Sequence, residues 1–93
     1  MSLTLQNPLK DPSAVLDYAF DWTDWLATSE TIANHTITAD TGIVVDSSTE
    51  NAGIVTVWLS GGEAGKWYKV ACKIETNMGR IDERTLHIRV ENR

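Results

Sequence analysis

The side chains that most often act as nucleophiles and bases are scarce in this 93-residue chain. It contains one cysteine, Cys72, and two histidines, His35 and His87. Cys72 lies between Val70 and Ile74 in an alternating segment, so it shares their inward face and is predicted to be a small buried hydrophobe. A reactive thiolate needs exposure and a nearby positive charge, and neither is indicated at this position.

The two histidines are interpreted as solvent-exposed strand residues. His87 falls on the outward side of the last alternating segment, and His35 lies in a polar, Thr-rich stretch. Either could act as a general base, but the sequence offers no credible nucleophile to pair with it. It also contains no Gly-x-Ser-x-Gly elbow, phosphate-binding loop or dinucleotide fingerprint. We therefore predict that the chain is not an enzyme and has no cofactor.

Some acidic residues lie at the ends of predicted strands, where calcium-dependent sandwich domains place their oxygen ligands. They are Asp40, Asp46, Asp82 and Glu83. They form no Asp-x-Asp-x-Asp run, and arginines flank the last two. We interpret all of them as solvated turn charges and predict no metal site.

Four tryptophans in 93 residues are too many for all of them to lie at the centre of one small core. We expect Trp58 or Trp67 to fill the interior, as one large ring does in many sandwich folds. Trp22 and Trp25 lie at the end of the first predicted strand and in the loop after it. Exposed tryptophan is enriched at binding interfaces, so both are interface candidates, although packing explains them equally well.

Alternation of apolar and polar residues defines the elements that would position these side chains. Both sides of residues 54–59 are apolar, which predicts a central strand or a strand with one face covered by a partner. Residues 46–53 are predicted to form a loop, and residues 23–30 a short helical turn. The predicted strands cover residues 16–22, 32–39, 43–45, 54–59, 68–75 and 85–91. Six to seven short strands at this spacing predict an all-β fold, an immunoglobulin-like antiparallel β-sandwich.

The N-terminal residues differ from the rest. Pro8 and Pro12 each lack a backbone donor and restrict the residue before them, so residues 1–13 are predicted to form an extended arm. The sandwich domain is predicted to cover residues 14–93. Thirteen acidic and eight basic side chains give a net charge of −5, which argues against nucleic-acid binding and against anionic membrane surfaces. No apolar run approaches the roughly 20 residues of a membrane-spanning helix.

Several segments of the chain resemble small phage proteins described as fibre-tail adaptors. The longest segment, with the letters DPSAVLDYAFDW, resembles the opening of those proteins, and VWLSGGEAG and GRIDERTL resemble later motifs. Ser29 and Glu30 stand where a Gly-Asp or Gly-Glu turn is common in that family. The similar segments are residues 11–22, 30–33, 42–47, 57–65 and 79–86.

The resemblance implies a virion structural protein of a tailed phage or prophage with an immunoglobulin-like fold. It implies a tail or neck adaptor that acts by protein–protein assembly with other tail or neck proteins, possible homo-oligomerisation included, after synthesis in the cytoplasm of the bacterial host. Trp22, Trp25, Arg80 and Arg84 are our interface candidates, together with the arm, which could add a strand to an open sheet edge. The alternative is a carbohydrate- or cell-surface-binding sandwich with Trp25 and Trp67 as stacking platforms.

Overall fold

Alternating buried and exposed residues organise the chain into strands. The computed structural model describes residues 9–10 and 12–91. Its strands are β1 (Leu9–Lys10), β2 (Leu16–Asp21), β3 (Ile32–Ala39), β4 (Ile43–Asn51), β5 (Ile54–Gly61), β6 (Trp67–Thr76) and β7 (Ile81–Val90). A helix long and apolar enough to cross a membrane is not found among these residues. The predicted short helical turn is a single turn that does not continue into a helix. In it, Trp25 N and Leu26 N donate to Trp22 O over 2.9 and 3.0 Å.

The strands form two sheets that pack face to face. One sheet has the order β2-β5-β4, and the other has the order β1-β7-β6-β3. All pairs are antiparallel except β1 with β7, which is parallel. These orders match the B-E-D and C-F-G strands of a constant-type immunoglobulin sandwich, with β1 added at one edge. The predicted all-β, immunoglobulin-like sandwich is therefore confirmed.

The core contains one tryptophan, but not either of the two that we expected. Trp22 is fully buried, whereas Trp58 and Trp67 are 42% and 48% exposed. The prediction that Trp58 or Trp67 fills the interior is therefore wrong. Register explains the difference, because Trp58 pairs with Asp17 and Trp67 with Arg89, both on the outer faces. The buried residues of the core are Phe20, Trp22, Ile32, Ile43, Val55, Val57, Leu59, Tyr68, Val70, Cys72, Ile74, Leu86, Ile88 and Val90.

The loop predicted at residues 46–53 is also wrong. Strand β4 continues to Asn51, and only Ala52 and Gly53 turn the chain into β5. Both turn residues have positive φ, 51° and 89°, as a two-residue hairpin of type I′ requires. The polar composition of β4 arises because it is an edge strand, paired only with β5.

Both of the longer edge strands carry a register irregularity. In β3 it lies between Ile32 and Asn34, and in β4 between Val45 and Ser47. Such bulges bend the strand and increase its local twist. The predicted central position of residues 54–59 is confirmed, because β5 lies between β2 and β4.

Glycines allow close contacts at the end of the sandwich where β5 and β6 are joined. Tyr68 accepts a hydrogen bond from Glu63 N over 2.9 Å at its hydroxyl, which closes the connection onto β6. A Cβ at Gly62 would lie 2.6 Å from Val90 Cγ2, and one at Gly42 would lie 2.8 Å from the Tyr68 ring. Both glycines have positive φ, so no other residue type fits these positions without strain.

Most of the predicted arm lies outside the described residues, and its division from the domain at residue 13 stays a prediction. Of the described part, Leu9 and Lys10 pair with Arg89 and Val90 of β7. Lys10 is fully buried, and its Nζ donates to Gly61 O over 2.7 Å. This strand therefore belongs to the sheet.

Candidate functional site

The four interface candidates from the sequence meet at one end of the sandwich. Trp22 directly follows β2, and Trp25 lies in the turn after it. Arg80 ends the turn between β6 and β7, and Arg84 lies in β7. Because β2 and β7 belong to different sheets, the cluster spans both layers.

Each of the two rings carries one guanidinium group, and the two rings contact each other. The Arg84 guanidinium carbon lies 4.1 Å from the Trp22 ring centroid, and that of Arg80 lies 4.0 Å from the Trp25 centroid. The two indoles are in edge contact, with centroids 5.6 Å apart and planes at 72°. Each cation–π contact contributes about 0.5–2 kcal/mol, more where water is excluded. We call these four residues the end cluster.

The buried carboxylate of Glu30 fixes the position of the Arg80 guanidinium group. Its side chain is buried and forms a two-point ion pair with Arg80, in which Nε donates to Oε2 over 2.9 Å and Nη2 donates to Oε1. Thr76 Oγ1 donates to Oε2 over 2.6 Å, and Ala27 N donates to Oε1 over 2.9 Å. The hydrogen bonds from Arg80, with those from Ala27 and Thr76, lower the pKa of Glu30 to about 2.

Backbone bonds fix the same segments. Arg80 Nη2 donates to Trp25 O over 3.2 Å, and Arg84 Nη1 donates to Asp21 O over 2.8 Å. Thr31 and Asn77 exchange two bonds, from Thr31 N to Asn77 Oδ1 over 2.9 Å and from Asn77 N to Thr31 O over 3.0 Å. The end cluster is therefore preorganised, and binding a partner would require little ordering.

The members of the end cluster differ in exposure. Trp22 is fully buried, so it supports its neighbours and presents no surface of its own. Trp25 and Arg84 are half-buried, and the Arg80 side chain is 46% exposed. Arg80 is thus the most exposed member of the end cluster, and Trp25 lies directly against its guanidinium group.

Sequence reasoning missed the role of Glu30, which appeared only as a departure in a turn. Arg80, its main partner, is 50 residues away in the sequence, so no local pattern links them. Ser29 just before it has φ of 65°, the left-handed region that glycine adopts without strain. A glycine at position 29 would therefore relieve the strain that serine has there.

The cysteine and the two histidines lie in separate surroundings. Cys72 is buried as predicted, and burial raises the pKa of its thiol to about 11. His87 is exposed as predicted. His35 is half-buried with Nε2 3.1 Å from Ser48 Oγ, so its prediction as an exposed side chain is wrong.

The acidic residues that were predicted at strand ends accept local hydrogen bonds, and Asp46 and Asp82 lie within β4 and β7. Asp40 Oδ2 accepts from Lys69 N over 2.8 Å, Asp46 Oδ1 accepts from Ser60 Oγ over 3.1 Å, and Asp82 Oδ1 accepts from Glu83 N over 2.8 Å. Within residues 9–10 and 12–91, no three His, Cys, Asp or Glu side chains are grouped as a metal site.

A protein-family model described as Podophage GP4 fiber-tail adaptor protein gp77 matches residues 10–89. The chain belongs to this family. It is therefore a structural protein of a phage tail, located in the virion, that acts by assembling with other tail proteins. The matched region contains the whole end cluster and every strand from β2 to β6. No curated protein matches the chain.

The stacking platforms of the alternative carbohydrate-binding hypothesis are partly occupied. Arg80 covers one face of Trp25, and the Arg89 guanidinium carbon lies 5.6 Å from the Trp67 ring centroid. A sugar would need to displace these guanidinium groups or use the opposite ring faces. The structural role of the adaptor family does not require carbohydrate binding.

Proposed function

We propose that the protein joins tail components through the end cluster, with Trp25 and Arg80 as its main contact residues and Trp22 and Arg84 as their support. The observation that carries this proposal is the fixed, partly exposed Trp25–Arg80 stack over the buried Glu30 carboxylate. Tryptophan and arginine are the residues most enriched at the energetic centres of protein interfaces.

The same proposal includes the finer properties of an adaptor. The protein acts without catalytic turnover, is made in the cytoplasm of the bacterial host, and binds neither nucleic acid nor membrane. The net charge of −5 supports the last point, because phosphate-rich surfaces repel it. Homo-oligomerisation on the tail is compatible with this role.

The arm before Leu9 is proposed as a second contact, in which it adds a strand to an open sheet edge of a neighbouring subunit. Strand β3 offers such an edge, since it pairs only with β6. A variant that lacks residues 1–8 tests this idea and keeps β1. Unchanged particle assembly by that truncated chain would refute it.

The first experiment is quantitative mass spectrometry of purified particles from the source phage or prophage. A fixed ratio of this chain to the other tail proteins supports the adaptor function, and intact particles without it contradict the function.

A pair of charge-reversed variants then tests the end cluster. Asp24→Arg alters the exposed neighbour of Trp25, whereas Glu75→Arg makes the same charge change on the outer face of the other sheet. We expect Asp24→Arg to reduce incorporation into particles and Glu75→Arg to preserve it. Equal incorporation of both variants would show that the end cluster is not part of the interface.

A further inference from the structure

The outer face of the β2-β5-β4 sheet carries large apolar side chains in solvent. Trp58 lies in the central strand of this sheet and is 42% exposed. Val44 and Ile54, on the same face, are 53% and 37% exposed. A central strand with apolar residues on both sides is typical of a sheet whose two faces are both covered. One face is covered by the core, and the other is exposed in the part of the chain that the structure describes.

Carboxylates surround this apolar centre. The register places Asp17 of β2 and Ser47 of β4 opposite Trp58, on either side. Directly opposite residues have Cβ atoms about 5 Å apart. Asp46, at the bulge of β4, bonds to Ser60 on the same face, and Asp21 pairs with Ile54. We call Trp58, Val44, Ile54 and these three aspartates the Trp58 face.

Arg84 lies close to Asp21, whereas Asp17 and Asp46 have no ion-pair partner among the described residues. Strands β2, β4 and β5 contain no lysine and no arginine. In the described part of the chain, the ion pairs are Lys66–Glu63, Arg80–Glu30 and Arg89–Glu91, so none involves Asp17, Asp21 or Asp46. The face therefore has a negative potential around an apolar centre.

Trp58 also differs from the other tryptophans in its cationic contacts. Trp22, Trp25 and Trp67 each have an arginine over the ring, at 4.1, 4.0 and 5.6 Å. Among the described residues, none places a cation over Trp58. Its ring is the remaining acceptor for a guanidinium group, and the nearby carboxylates would strengthen that attraction.

We propose that the Trp58 face docks a tail protein that inserts an arginine side chain onto Trp58, with Asp17 and Asp46 as its ion-pair partners. This inference rests on the proposed adaptor function, because a protein that joins two components needs a second surface besides the end cluster. Charge complementarity defines the occupant as a basic protein surface. The same aspartates repel phosphate groups, which argues against nucleic acid.

The test uses the full chain and the tail proteins separated from dissociated particles, with affinity measured by biolayer interferometry. Trp58→Ser removes the ring, and the double variant Asp17→Asn with Asp46→Asn removes charge at nearly constant shape. Trp67→Ser is the matched control, because it removes a similarly exposed ring from the opposite sheet. Thermal unfolding followed by circular dichroism verifies that each variant is folded.

We expect Trp58→Ser to raise Kd for one basic tail protein by about tenfold or more, as loss of a central tryptophan commonly does. The Asn double variant should slow association and reduce its salt dependence, and Trp67→Ser should bind like the wild type.

Three results would overturn the proposal, and they are distinguishable. Wild-type binding by both Trp58→Ser and the Asn variant would refute the Trp58 face and leave the adaptor function intact. Loss of a homodimer by Trp58→Ser in light scattering, with no tail protein affected, would assign the face to a second copy of this chain. Failure of the wild-type chain to bind any tail protein, together with its absence from particles, would refute the adaptor function as well.

Discussion

Glu30 is the residue whose role depends most on the complete fold. Its carboxylate is buried among Arg80, Thr76 and the backbone N–H of Ala27, each of which donates a hydrogen bond to it. Breaking a buried ion pair by removing one partner is costly, because the other partner loses its compensation. Glu30 therefore helps to hold Arg80 over Trp25, together with the bond from Arg80 Nη2 to Trp25 O.

The stabilisation by Glu30 should depend on pH in a defined direction. Its pKa is lowered from 4.5 to about 2, so the native state holds the charged form. The stabilisation is present above about pH 4.5 and is lost as the pH falls towards about 2, because the unfolded chain takes up the proton first. We expect Glu30→Gln to lower the Tm near neutral pH, and the difference from the wild type to shrink as the pH falls through this range.

Thermal unfolding by circular dichroism at a series of pH values measures this difference. Glu75→Gln is the control, since Glu75 is an exposed strand carboxylate and is in none of the three ion pairs of the described residues. A difference between Glu30→Gln and the wild type that stays constant over the acidic range would contradict the assignment.

Cys72 gives a second prediction for a single residue. The thiol is fully buried, and burial raises its pKa to about 11. We expect no reaction with a thiol reagent at about pH 8 in the folded protein, because the thiolate is the reactive form. The same chain unfolded in guanidinium chloride should react with one equivalent of the reagent at once. Immediate reaction under native conditions would instead show that the Cys72 thiol is accessible.

At the residue level, the sequence indicates types of side chain better than contacts. Alternation between Val70 and Ile74 is sufficient to place Cys72 inside. The interface candidates Trp22, Trp25, Arg80 and Arg84 do lie together, but the sequence indicated neither their proximity nor their contacts. The Glu30–Arg80 pair depends on two turns that meet only in the folded chain, so neither residue's neighbours in the sequence reveal it.

The β4–β5 hairpin shows the same limit for an element. Its turn consists of Ala52 and Gly53, both with positive φ. Asparagine-glycine would have indicated this turn directly, whereas alanine at the first position does not. The polar residues 46–51 resemble a loop because an edge strand faces solvent along one side.

The turn residue Ala52 should be replaceable with a gain in stability. Its φ of 51° costs an alanine about 1 kcal/mol, and asparagine tolerates this conformation better. We expect Ala52→Asn to raise the free energy of unfolding by about 0.5–1 kcal/mol in urea titrations. Ala64→Asn, at a turn residue outside the left-handed region, should bring no gain. An equal gain at both positions would show that turn conformation is not the cause.

For the whole molecule, one core and one end cluster connect the two sheets. Trp22 and Trp25 follow β2 of one sheet, and the arginines over them belong to the β6–β7 hairpin of the other. We therefore expect cooperative two-state unfolding, in which tryptophan fluorescence and far-UV circular dichroism give the same midpoint. The variant with Trp58→Phe and Trp67→Phe isolates the emission of Trp22 and Trp25. An earlier fluorescence transition in that variant would mean that the end cluster opens separately.

The fold class could be predicted because period-two alternation is a property of each strand. Strand β3 has the predicted bounds, and β5 is central as its two apolar sides indicated. The choice of the interior tryptophan could not be predicted, because it depends on the face that each ring occupies after pairing. Trp58 pairs with Asp17 on the outer face of its sheet, and this pairing excludes Trp58 from the core.

The register irregularities in β3 and β4 affect how the protein behaves before assembly. At high protein concentration, exposed strand edges can polymerise into continuous ribbons. The irregularity in each of these two strands interrupts its ladder, which disfavours edge-to-edge pairing of copies along the full strand. The regular stretch of β3 after Asn34 can still receive one short segment. We therefore expect these two edges to disfavour ribbon formation while single, finite contacts stay available.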